Sequence, residues 1–80
     1  MNMKTGMFST RDFYLACFLK ARDVRLTRTE RRGSIVVFFF EDSGELQQMI
    51  ARFYSNEEEV PASRFVNAIR DLKALVHNVK

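Results

Sequence analysis

Apolar and polar residues recur along this chain with two different periods, and each change of period marks a predicted element. Ile35 to Phe40 is an unbroken apolar run. Read as a strand, its side chains alternate between opposite faces. Ile35, Val37 and Phe39 then line one face, and Val36, Phe38 and Phe40 the other. Both faces are apolar and both need cover, which calls for helices on both sides, a partner chain, or both. Before this run, Val24 to Glu30 alternates Val/Leu with Arg/Thr, the pattern of a half-exposed strand. Arg31-Arg32-Gly33 predicts the turn that joins it to a second strand over Ser34 to Glu41, with Gly33 supplying a positive φ. A two-residue loop pairs Leu26 with Phe39, whereas a three-residue loop pairs it with Phe38. That one-residue slip exchanges the two faces.

Helical spacing governs the rest. With Ser9 as N-cap, Asp12 falls at N3 in a variant of the capping box, and Phe8 and Phe13 are placed as a hydrophobic staple. The body from Phe13 to Leu19 is apolar around most of its circumference, as in an enclosed helix, and Lys20 and Arg22 favour its C-terminal end. A second helix is predicted from Asp42 or Ser43, with Asp42 and Glu45 at N-cap and N3 spacing and a stripe of Leu46, Met49, Ile50, Phe53 and Tyr54. Ser55 to Glu59 reads as a polar, acidic loop. Val60-Pro61 opens a third helix, whose stripe is Phe65, Ala68, Ile69, Leu72, Leu75, Val76 and Val79. The expected fold is therefore α+β in the order α-β-β-α-α, an antiparallel hairpin packed with three helices. Residues 1–7 are expected to be a flexible N-terminus and residues 8–80 a single compact domain.

Eighty residues bring a constraint of their own. A core of this size rarely supplies more than about 3–5 kcal/mol without staples. One cysteine, Cys17, allows no internal disulfide, and with the one histidine, His77, it cannot complete a four-ligand zinc site. Dimerisation is the remaining remedy, and the expected self-association residues are Val36, Phe38 and Phe40. Cys17, mid-helix in an apolar run, reads as a core residue, and His77 as a cap or solvated residue at the end of the third helix. The lone cysteine suits a reducing cytosol. The N-terminus lacks the apolar stretch of a signal peptide, and no segment approaches the roughly 20 residues of a membrane span. A cytoplasmic protein without a membrane partner is expected.

Charge adds the one functional lead. The net charge is +3, yet residues 1–32 carry +5 and residues 33–80 carry −2. Arg22, Arg25, Arg28, Arg31 and Arg32 crowd one stretch and form a candidate partner-binding edge. The competing reading is a solvated strand and turn whose arginines keep a hairpin soluble. Because neighbouring strand positions face apart, Arg31 and Arg32 at the hairpin tip are expected to carry most of any effect, assisted by Arg22 or Arg28. Glu41/Asp42 and Glu57-Glu58-Glu59 are accounted for by an element boundary and a solvated loop. No phosphate loop, metal motif or catalytic constellation is recognisable, so no catalytic, cofactor or metal residue and no small-molecule substrate is assigned.

Phe8-Ser-Thr-Arg-Asp-Phe-Tyr-Leu-Ala-Cys-Phe-Leu, Phe40-Glu-Asp, Val60-Pro61 and the closing Phe65-Val-Asn-Ala-Ile-Arg-Asp-Leu-Lys-Ala-Leu resemble a small uncharacterised bacterial domain family, also seen in mobile elements. The similarity spans residues 7 to 77. It implies a bacterial or phage source and, because the family has no assigned function, lends no site residues. The expectation is a non-enzymatic binding module, dimeric, whose basic edge meets nucleic acid or an acidic protein. The alternative is a phage-type protein that inhibits a host factor, such as a nucleic-acid-guided defence complex, by protein–protein binding.

Overall fold

The computed structural model describes residues 6–79 in the order β1 (Gly6–Thr10), α1 (Phe13–Ala21), β2 (Leu26–Arg32), β3 (Ile35–Asp42), α2 (Leu46–Tyr54) and α3 (Ala62–Asn78). The three helices and the hairpin are those the periodicity predicts, and the class is α+β. The strands form one antiparallel sheet in the order β1-β3-β2, with the apolar run at its centre. Since β1 and β2 both run antiparallel to β3, they are parallel to each other. The unit β1-α1-β2 is thus a βαβ crossover with β3 inserted between its strands.

The additional strand β1 corrects the reading of the N-terminus. Gly6 and Met7 belong to β1 rather than to a flexible N-terminus, and the remainder of residues 1–7 lies outside the described residues. Ser9 does not cap a helix; it stands opposite Phe39 in the sheet. The chain turns three residues later, where Thr10 Oγ1 accepts the Asp12 N–H at 3.0 Å. Asp12 Oδ1 then accepts from the N–H groups of Tyr14 and Leu15, both at 3.1 Å, and so caps α1. Pairing with β1 also extends β3 to Asp42, opposite Gly6. Asp42 is therefore unavailable as an N-cap, and α2 starts at Leu46 after a turn in which the Leu46 N–H reaches the Ser43 carbonyl.

The hairpin turn is Gly33-Ser34, with Arg32 opposite Ile35 and Gly33 at φ +64°. Neither anticipated register is adopted. Arg31 and Arg32 remain in the strand, and a bulge at Thr27 brings Leu26 opposite Phe40. The consequence decides the architecture. Val36, Phe38 and Phe40 face the helices, together with Phe8 and Leu26 from the flanking strands. They join Leu15, Ala16, Cys17, Phe18 and Leu19 of α1, Leu46 of α2, and Ala68 and Leu72 of α3 in one core. All three helices cover this one face, so the expectation of helices on both sides does not hold.

Helix α1 is buried over most of its surface, as its composition predicts, and packs chiefly along α3. Phe18 stacks on Phe53 of α2 with ring centroids 4.9 Å apart. Both α1 and α2 end in a 6→1 plus 5→2 hydrogen-bond pattern closed by a residue in the left-handed region, Asp23 at φ 65° and Asn56 at φ 64°. Among the described residues no helix is long and apolar enough to cross a membrane.

Candidate binding surface

The arginines of the predicted edge separate onto three surfaces. Period two along β2 places Arg28, Glu30 and Arg32 on the face away from the helices, opposite Phe39, Val37 and Ile35. There Glu30 binds both neighbours. One carboxylate oxygen takes Arg28 Nη1, and the other takes Arg32 Nε and Nη2 at 3.0 and 2.7 Å. The hydrogen bond from Arg28, then that from Arg32, holds the Glu30 carboxyl below its ordinary value. The Arg28 guanidinium lies 3.9 Å from the Phe39 ring centroid, and that of Arg32 lies 6.0 Å from it. Thr27, in the bulge, donates to the Phe39 carbonyl at 3.0 Å and approaches Met7 Sδ at 3.8 Å across the central strand. Phe39 is thereby left only 9% exposed, and Val37, opposite Glu30, is equally shielded, with no second layer of secondary structure over this face among the described residues.

Arg31 points to the other side. Its Nε and Nη2 donate to the carbonyls of Val79 and Val76 at 3.2 and 3.3 Å, satisfying acceptors at the end of α3. His77, in that same last turn, is exposed and does not provide the cap. Arg31 and Arg32 are adjacent at the tip but do not share a surface. Arg22, at the end of α1, pairs with Glu58 and lies 5.8 Å from the Phe18 ring, and Arg52 binds the same carboxylate at 3.3 Å. These bonds, that from Arg22 first, hold the Glu58 carboxyl low. Arg25 makes no ion pair among the described residues and lines a cleft with Arg22, Glu41, Asp42 and Glu45, so these two arginines share the third surface. The self-association residues meet a different fate. Phe38 and Phe40, 2% and 0% exposed, lie in the core beside half-buried Val36, so the two phenylalanines pack against helices of the same chain rather than standing free for a second copy.

One residue missed in the sequence joins Arg31 where it matters. Arg11, between β1 and α1, lines a cleft of about 440 Å³ with Arg31 and Ser34, among apolar Phe13, Val36, Phe38 and Val76 and, at the start of β3, Ile35. No carboxylate lines it among the described residues, and Arg11 has no hydrogen-bond or ion-pair partner among them. Arg31 is held by the α3 carbonyls and is thus positioned before any ligand arrives. Two arginines among apolar lining residues suit an anionic group carried on an apolar body. The sequence carries no signal for Arg11, because its place beside Arg31 depends on β1, whose residues Phe8 and Ser9 match a helix start equally well.

The Cys17 thiol is buried and pushed up to about 11, chiefly by burial and secondly by the Asp12 carboxylate. The Tyr54 hydroxyl donates to Asp12 Oδ2 at 2.6 Å, which raises its pKa, and Asp12 is engaged as the α1 cap. No three His, Cys, Asp or Glu side chains converge as metal ligands among the described residues.

Fold and surface together define a small α+β domain, a split βαβ unit extended by two helices. The chain belongs to the family described as a domain of unknown function (DUF5659), whose profile matches residues 5–78. Comparison with curated proteins and with solved structures gives no match.

Proposed function

We propose that the protein is a small, non-enzymatic, self-associating binding module that holds an acidic, partly apolar segment of another protein in the Arg11/Arg31 cleft. The observation that carries this reading is the cleft itself, with two arginines, apolar walls and no lining carboxylate among the described residues. An acidic protein fits better than nucleic acid for an electrostatic reason. A phosphate backbone is tracked by a continuous row of available cations. Here Arg22, Arg28, Arg32, Arg52 and Arg64 each bind a carboxylate of this chain, which breaks such a row. A buried thiol at about 11 gives no support to nucleophilic chemistry, and an unpaired buried cysteine suits a reducing cytosol.

The test is fluorescence anisotropy with a labelled peptide of alternating glutamate and leucine, a matching lysine–leucine peptide and a single-stranded DNA oligonucleotide. The acidic peptide should bind, with affinity falling as salt rises. Arg11→Glu should weaken it by about tenfold or more, with an unchanged melting temperature, while Arg25→Glu leaves it alone. Equal binding of the lysine peptide, or an inert Arg11→Glu, contradicts the reading. Tighter binding of the DNA transfers it to nucleic acid.

A further inference from the structure

The two edges of the sheet differ in a way that assigns the self-association surface. Exposed strand edges offer unpaired N–H and C=O groups, and proteins guard them with charges, bulges and proline. Edge strand β2 is guarded twice over, by Arg28, Glu30, Arg31 and Arg32 and by the bulge at Thr27. Two copies of β2 paired antiparallel about Glu30 would set Glu30 against Glu30 and Arg28 against Arg32, like charges directly opposed. Edge strand β1 carries neither guard. Gly6-Met-Phe-Ser-Thr10 holds no charge and no proline, pairs with β3 in unbroken register, and leaves Gly6, Met7 and Ser9 exposed.

We infer that a second copy of this chain adds to the sheet through β1, antiparallel about a two-fold axis near Phe8, to give a continuous six-stranded sheet. This deepens the self-association reading above. About that axis Met7 stands opposite the second copy's Ser9, and Phe8 opposite its own counterpart, with no charge opposed to another. Phe8 is half-buried in the monomer and already packs on the core, so the pairing extends the apolar layer under the helices across the junction. The contact is isologous and uses up the unguarded edge of each copy, while β2 blocks further growth. Assembly therefore closes at the dimer.

Three measurements test this. Light scattering should show the mass doubling as concentration rises from about 10 to 500 micromolar, the range in which a modest interface titrates. Over the same range, amide hydrogen exchange should slow at residues 6–10 and remain unchanged at residues 26–32. Ser9→Lys, which charges the β1 edge, should weaken dimerisation by about tenfold or more without changing the secondary structure. Ile35→Lys tests the outward face on the central strand and should leave the dimer intact. A dimer whose added protection falls outside β1, or one that Ile35→Lys disrupts and Ser9→Lys does not, overturns edge pairing while the self-association reading survives. A monomer throughout that range overturns both.

Discussion

Phe39 and Phe40 are neighbours in sequence, share a strand, and are both largely shielded from water, yet what shields them differs completely. Phe40 is fully buried among hydrocarbon from three helices. Phe39 is covered by Arg28, Arg32 and the cross-strand contact between Thr27 and Met7. The first environment is close-packed and excludes water, so removing a side chain leaves a cavity. The second is a screen of long, solvated side chains, their charged ends held in place by Glu30. Small domains lack the chain length for a second layer. In this one, Arg28, Glu30 and Arg32, at alternate positions of an edge strand, perform part of that task. Inward positions of β3 are therefore enclosed by packed helices, and its outward face is screened by side chains of the neighbouring strands.

The largest expected effect is inward. Phe40→Ala should destabilise by about 3–5 kcal/mol in urea denaturation, enough to unfold much of a domain this small. Phe39→Ala should cost clearly less because its surroundings can collapse or fill with water. Equal losses would break the comparison. Leu72→Ala, on the buried stripe of α3, should cost about 2–5 kcal/mol by the same measurement, and Asn67→Ala on the exposed face of that helix should be nearly silent.

Those core predictions rest on what the sequence made plain. The i, i+3, i+4 stripes of α2 and α3 were legible because sequence spacing alone places Leu46, Met49, Ile50, Phe53, Phe65, Ala68 and Leu72 on inward faces. The hairpin was legible from its alternation. Strand β1 was not, because Phe8, Ser9, Asp12 and Phe13 match a helix start as well as a strand, and pairing with β3 decides between them. Inward and outward faces could not be told apart for a related reason. Both are apolar on β3, and the turn at Gly33-Ser34 and the bulge at Thr27 set which one meets Leu26. The Glu30 ladder followed from period two, whereas Arg22–Glu58, 36 residues apart, and the approach of Arg11 to Arg31 are products of tertiary packing.

On the outward face the effects become smaller. Arg28→Ala should change stability by no more than about 1 kcal/mol, while increasing binding of a hydrophobic dye as Phe39 is uncovered. Acid should sharpen the distinction between the faces. Glu30 and Glu58 are held below their ordinary value of 4.5 by arginine hydrogen bonds. The unfolded chain therefore takes up protons first. The stability these pairs contribute is present above about pH 4.5 and is lost as pH falls through the lower folded values. Urea midpoints measured from pH 6 downwards should decline, and Glu30→Gln should make that decline shallower. An identical slope in the variant would show that the Glu30 ladder contributes nothing.

The claim that arginine serves here as cover for an apolar strand face is tested most directly by a double-mutant cycle between Arg28 and Phe39, using Arg28→Ala, Phe39→Ala and the double variant in urea denaturation. Guanidinium-over-ring contact at 3.9 Å predicts a favourable coupling of about 0.5–1 kcal/mol, with the double variant less destabilised than the two single changes added together. Strictly additive losses would contradict it and return Arg28 to the role of an uncoupled solvated charge.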